Sequence, residues 1–191
     1  MDHDWLARPL PPGVVIGARS WLYSSFAFIH HASRRPQSVR IGSDSGIYSA
    51  TSFALGPQGE VQIGDFCTIV AAVFCTNRRV VIEDYALISH SVVIADDLAA
   101  VPPAMTDGGR FATGLGAEQA DPAPPPISVR VGENVWIGAR AVLLGGAEIG
   151  DGAIVGAATV VDFAVPPFAV VAGDPARIVG WARPQRSDGG R

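Results

Sequence analysis

Four histidines and two cysteines are the side chains of this chain best suited to moving protons near neutral pH or holding a metal: His3, His30, His31, His90, Cys67 and Cys75. A structural or hydrolytic metal site needs at least three such ligands together. The two cysteines stand at core positions of a repeat described below, so neither a disulfide framework nor a zinc site is expected, and both read as buried free thiols. His3 belongs to a flexible start. His30 and His31, in FIHHASRRP beside Arg34 and Arg35, could touch a substrate phosphate but read better as a surface turn. His90, in ISHSV, is the only imidazole inside the regular part of the chain. A neutral imidazole, with a reference pKa of about 6.5, can take the proton of an attacking hydroxyl; the plain alternative is a solvent-facing corner residue.

What positions His90 is a repeat of six. Val131, Ile137, Leu143, Ile149, Val155 and Val161 are spaced by six, and Gly132, Gly138, Gly150 and Gly156 follow four of them. Neither a helical nor a simple strand period fits. Upstream, Ile82, Ile88 and Ile94 form a triplet at the same spacing, as do Ile63, Ile69 and Cys75, then Ile41, Ile47 and Phe53, and a degenerate Ile16, Leu22 and Phe28. A second column four residues on is small or β-branched: Ser45, Thr51, Cys67, Val73, Ala86, Val92, Val135, Ala141, Ala147, Ala153 and Thr159. Three short sides closed by tight corners, each turn stacked on the next as parallel strands about 4.7–4.9 Å apart, satisfy this pattern. The spacing predicts an all-β, triangular parallel β-helix, with small excursions at GPQGE and NRRV. Val93, Val142, Ile154 and Val160 then face outward, an apolar surface that an assembly would hide.

Residues 1–15 read as an N-terminal extension, 16–167 as the β-helix and 168–191 as a C-terminal strand and fraying tail. Between Ile94 and Val131 the period lapses in a Pro-, Gly- and Ala-rich stretch, a loop at about 98–128 of the length that usually has a function or is disordered. The 191 residues carry a net charge of −4, with 48% hydrophobic and 17% charged residues, as one compact domain would. Fourteen Lys and Arg against 18 Asp and Glu, with no basic run, give no footprint for nucleic acid. No basic-then-apolar leader opens the chain and no apolar run nears the roughly 18 residues of a membrane span, so a cytoplasmic protein is expected.

With NVWIGARAVLLGGAEIGDGAIVGAATVV followed by VPPFAVVAGDPARIVG, the chain resembles the hexapeptide-repeat acyltransferases. That resemblance implies a left-handed β-helix, a homotrimer, acyl-CoA in a groove between subunits and a histidine as general base. His90 stands in the register of the catalytic histidine of relatives that carry it one coil before the acyl-CoA coils. Other relatives place theirs at the start of the long loop, where this chain has Asp96 and Asp97. Ser91 stands where several relatives have an acidic residue beside the histidine. By coil register His90 stacks near Ala139 and Ala157, small neighbours that leave a slot, and a backbone amide near Gly138 is the oxyanion donor by analogy. Arg177, in GDPARIVG, matches a basic residue that suits a CoA phosphate, or else bonds carbonyls at the base of the coil. Trp136 covers pantetheine or packs against a neighbouring subunit. Asp162 and Phe163 occupy positions where relatives commonly carry Thr-Lys.

The leading expectation is transfer of an acetyl or other acyl group from acyl-CoA to a hydroxyl or amine of a sugar or small polar acceptor, without a metal. The alternative is a catalytically degenerate trimeric scaffold or binding module, favoured by Asp162 and Phe163 and by the missing loop histidine. A related carbonic anhydrase type needs three metal-binding histidines, against one in-coil histidine here.

Overall fold

The computed structural model describes residues 3–96 and 126–182, and most of the 98–128 loop and the end of the tail lie outside them. Parallel strands wind into a solenoid of about six turns with three faces, the left-handed β-helix that the resemblance implied. The first face carries β1 (Val14–Ile16), β3 (Val39–Ile41), β6 (Glu60–Ile63), β9 (Arg79–Ile82), β12 (Ile127–Val131), β15 (Glu148–Ile149) and β18 (Ala164–Val165). The second carries β2 (Trp21–Leu22), β4 (Gly46–Tyr48), β7 (Thr68–Val70), β10 (Leu87–Ile88), β13 (Trp136–Ile137), β16 (Ile154–Val155) and β19 (Ala169–Ala172), closed by antiparallel β20 (Arg177–Trp181). The third carries β5 (Ser52–Leu55), β8 (Val73–Thr76), β11 (Val93–Ala95), β14 (Val142–Leu143) and β17 (Val160–Val161). Parallel pairing thus runs from Val14 to Val171, a little beyond the expected 16–167, and resumes after the loop at Ile127.

The six-residue period exists because each lead residue sits on its counterpart one turn away. Ile41, Ile63, Ile82, Val131, Ile149 and Val165 are consecutive partners down the first face, and all are buried. Ile47, Ile69, Ile88, Ile137, Val155 and Val171 do the same on the second. Fully burying each such side chain contributes about 1.5–3 kcal/mol. On the third face Phe28, Phe53 and Phe74 stack in sequence, with centroids 5.1 and 5.0 Å apart and planes within 8°. The second column is buried too, with one exception: Val73 is only half-buried, and Ala72 fills the interior in its place.

That exception corrects the third triplet. The partner of Ile94 is Phe74, not Cys75, which instead pairs with Ala95 and joins Ala54 in a separate small cluster. Ile69 to Phe74 is five residues where Ile88 to Ile94 is six. Because side chains alternate along a strand, losing one residue in the corner swaps which of the two neighbours points inward. Both cysteines are buried and unpaired by disulfide.

Glycine follows the lead residue for a reason of proximity. Asp65 accepts the Ser43 amide at 2.6 Å, Asp84 accepts the Asp65 amide at 2.8 Å and Asp151 accepts the Glu133 amide at 3.0 Å, each from the next turn. A Cβ on Gly42, Gly64 or Gly132 would collide with that carboxylate.

The start of the described chain is not loose. The His3 ring stacks on Trp21 at 4.0 Å and its Nε2 lies 2.7 Å from the Leu22 carbonyl, while Asp4 is buried against Ser24, Ser25 and the Leu6 amide. Burial alone would raise the Asp4 carboxyl, but these hydrogen bonds outweigh it and hold it well below the usual carboxylate range. The expectation of a flexible His3 is therefore corrected.

Candidate active site

His90 lies in the corner between the second and third faces, just after β10. Its side chain is exposed, and its carbonyl accepts the Arg140 amide at 3.1 Å, which fixes the backbone independently of the imidazole. Ser91 takes up the turn with φ of 60° and donates its amide to the Ala71 carbonyl at 3.1 Å. The one-residue-shorter corner in the coil above leaves His90 as the additional residue at this level. Pairing of Ile88 with Ile137 and of Ile137 with Val155 sets Ala139 and Ala157 at the two levels below it. Ala139 is half-buried and Ala157 exposed, so no larger side chain fills the corner there.

The backbone amides of this corner differ from the expectation. Gly138 donates to the Val155 carbonyl at 2.7 Å, a ladder bond that occupies the donor assigned to an oxyanion. The Ala139 and Ala157 amides make no hydrogen bond to any described residue. Of these neighbouring amides, that of Ala139 rather than Gly138 lacks a partner among the described residues. Sequence reasoning missed this because the choice depends on carbonyl directions in the coil beneath.

Trp136 is half exposed on the outer side of β13, and its Nε1–H donates to Ser89 Oγ at 3.2 Å. Ser89, unremarked in the sequence, thus ties the indole beside the His90 corner; only the register of β10 against β13 could have signalled it. Arg177 opens β20 opposite Ala172, whose Cβ would be 3.1 Å from one placed on Gly156. It stands four strand spacings below the level of His90, about 19 Å along the axis. Arg177 is exposed, and its guanidinium has no partner among the described residues. Asp162 and Phe163 are exposed at a different corner, between the third and first faces, away from the column that runs from His90 to Arg177.

Three other candidates have structural partners. Asp96 accepts Thr76 Oγ1 and the Asn77 amide, both at 2.6 Å, so it caps a turn, and Asp97 lies outside the described residues. His31 is not a surface-turn residue: it is half-buried, its Nε2 is 2.7 Å from Ser38 Oγ, its ring meets Phe28 edge-on, and burial lowers its pKa. Arg35 is buried against Glu60. Val93, Val142, Ile154 and Val160 do face outward but are half-buried; exposed large apolar side chains on and beside the second face include Trp21, Tyr23, Tyr48, Leu87, Trp136, Val179 and Trp181.

Comparison with known proteins gives this geometry a context. Residues 128–162 match the family model "Bacterial transferase hexapeptide (six repeats)". The chain is 43% identical over 79 residues to a 2,3,4,5-tetrahydropyridine-2,6-dicarboxylate N-acetyltransferase of Staphylococcus aureus, covering 40% of this chain and 33% of that protein. It is 39% identical over 94 residues to a serine acetyltransferase of Salmonella typhimurium, covering 49% and 30%. The chain therefore spans about a third of the length of these curated relatives. A hexapeptide-repeat acetyltransferase of Vibrio cholerae, solved with acetyl coenzyme A, superposes with a TM-score of 0.51 at 27% identity, over 73% of this chain and 69% of that one. In sequence repeat and in fold, the chain resembles the hexapeptide-repeat acetyltransferases.

Proposed function

We propose that this hexapeptide-repeat chain is an acyl-CoA-dependent acyltransferase, with His90 as general base and the acyl donor lying along the corner from His90 to Arg177. One observation carries the proposal: an exposed imidazole heads a column of small residues, and neither the Ala139 and Ala157 amides nor the guanidinium at its foot has a partner among the described residues. The fit to the donor is chemical. Arg177 supplies a cation for phosphate, Trp136 a flat apolar wall for the pantetheine arm, and Ala139 an N–H for a carbonyl oxygen.

In this reaction the His90 imidazole accepts the proton of an acceptor hydroxyl or amine as its oxygen or nitrogen bonds to the thioester carbon. The Ala139 amide donates to the oxygen that gains negative charge there. When the carbon–sulfur bond breaks, the imidazolium returns its proton to the departing thiolate, so the base is regenerated. Ser89 holds Trp136 in place, and Gly138 keeps the coil beneath close enough for the Ala139 amide to face the site.

The acceptor we infer is a sugar or another small polar molecule, held in a crevice that a neighbouring copy completes. The aromatic and aliphatic surface of the second face supports a homotrimer, because exposed Trp21, Tyr23, Leu87 and Trp136 would be covered by one. No helix among the described residues is long and apolar enough to cross a membrane, and with two unpaired cysteines a cytoplasmic setting fits.

The test separates binding from chemistry. Acetyl-CoA should raise the melting temperature saturably, since a ligand that binds only the folded state stabilises it. His90→Ala should keep that rise, because the side chain bonds no described residue, while turnover with a panel of amino and hydroxyl acceptors falls by about 10²–10⁴. A flat melting curve at millimolar acetyl-CoA would favour the scaffold alternative, and full activity in His90→Ala would remove this residue from the mechanism.

A further inference from the structure

A groove of about 430 Å³ lies on the first face near the upper end of the coil, on a different face from the corner that carries His90. Its lining includes Arg35, Arg40, Arg79, Glu60 and Gln62. The Arg35 Nε donates to Glu60 Oε1 at 2.5 Å, and the other Glu60 oxygen stands 3.8 Å from the Arg79 Nε. Arg79 also donates through a terminal nitrogen to Gln62 Oε1 at 2.7 Å. The Arg35 side chain is 6% exposed and that of Glu60 15%, so this pair is largely withdrawn from water and its geometry is fixed. Arg40 projects outward from β3, exposed, and has no hydrogen-bonding or ionic partner among the described residues.

The charge balance is uneven. Three guanidinium groups face one carboxylate, so the described lining carries two net positive charges. Glu60 and Gln62 hold Arg79 in one orientation, and because Gln62 receives through its oxygen, its amide N–H groups remain as donors. Arg40 and Arg79 stand on the strands either side of β6, about 9.5 Å apart across the sheet and offset by two residues along it, with long side chains that can converge over it. A planar guanidinium grips tetrahedral oxyanions through two parallel N–H groups, and two such groups match a dianion better than a single carboxylate.

We propose that this groove binds a phosphate group, either inorganic or carried by a small phosphorylated metabolite, with Arg40 and Arg79 as its ligands and Arg35, Glu60 and Gln62 as the frame that holds Arg79. The site is separate from the acyl-transfer corner and does not depend on it. It gives a chemical role to the arginine-rich FIHHASRRP neighbourhood, where His31 turns to Ser38 and Arg35 helps build the wall.

Thermal unfolding of the full chain tests this, with sodium phosphate, pyrophosphate or glucose 1-phosphate added against chloride at equal ionic strength. A saturable rise in melting temperature is expected. A lower half-saturating concentration for glucose 1-phosphate than for inorganic phosphate identifies the carried form, and the reverse order the free ion. Arg40→Gln, at an exposed position, should leave the unliganded melting temperature unchanged and raise the half-saturating concentration about tenfold or more, the loss expected for a hydrogen bond to a charged group. Arg79→Gln should raise the half-saturating concentration likewise, and Arg177→Gln should not. No saturable rise with any of the three anions overturns the proposal, as does an Arg40→Gln protein that binds like the parent, or a rise abolished by Arg177→Gln alone.

Discussion

Replacing Gly138 with alanine puts the link between the repeat and the proposed chemistry under direct test. A Cβ at this position would lie 2.6 Å from the Ala157 nitrogen and 2.8 Å from both the Gly156 carbonyl carbon and the Val155 oxygen. All three are backbone atoms of the coil below, so no side chain can rotate away and the two coils must part. Parting them stretches the 2.7 Å bond from Gly138 to Val155 and carries Ala139 with it. Overpacking of this kind costs about 1–3 kcal/mol, and the weakened ladder bond adds about 0.5–1.5 kcal/mol. Restricting the unfolded chain returns about 0.4–1 kcal/mol. A net loss of roughly 0.5–4 kcal/mol follows, which at about 2–4 °C per kcal/mol for a chain of this size lowers the melting temperature by roughly 1–16 °C. Gly180→Ala is the control, because nothing lies within 4 Å of a Cβ there, and it should melt within about 2 °C of the parent. Turnover, measured well below the melting transition, should also fall in Gly138→Ala, since small displacements of positioning groups can cost about a hundredfold. Gly138→Ala and Gly180→Ala proteins with the same melting temperature and the same turnover would refute the reasoning.

Two further outcomes follow from the core and from the N-terminal segment. Phe74→Ala removes the end ring of the Phe28–Phe53–Phe74 stack and should destabilise the fold by about 3–5 kcal/mol in chemical denaturation, whereas Cys75→Ala, in the small outer cluster, should cost much less. The lowered pKa of Asp4 means that its contribution to stability is complete above the unfolded carboxylate value of about 3.9 and is lost as pH falls toward the folded value. Trp5 and Trp21 fluorescence should therefore report a docked segment down to about pH 4 and its release in stronger acid, with Asp4→Asn releasing it already at neutral pH.

The lead residues were legible because a side that repeats its corner geometry must repeat its inward residue at a fixed interval, and Val131, Ile137, Leu143, Ile149, Val155 and Val161 do so every six residues. Cys75 was misplaced for a local reason: the Ala71–Ala72 corner is one residue short, and a period read by counting cannot detect an omission that later corners absorb. His90 could be placed at a corner from register alone. Which amide beside it is available could not, since Gly138 and Ala139 differ only in where the Val155 carbonyl points. Asp4 and His31 were missed because their partners, Ser24, Ser25 and Ser38, lie outside any repeating pattern. The arginine groove combines residues from three strands whose outward positions carry no periodic signal.

The aspartates that reach up beneath Gly42, Gly64 and Gly132 make three levels of the spiral dependent on the one under them for closure of the bend. Removing the circuit that opens at Gly64 would set Gly42 above Asp84 and keep the match, while removing a single side puts the glycine and the carboxylate on different faces. Such a chain can grow or shrink in evolution, or in an engineer's hands, by complete circuits far more readily than by single sides.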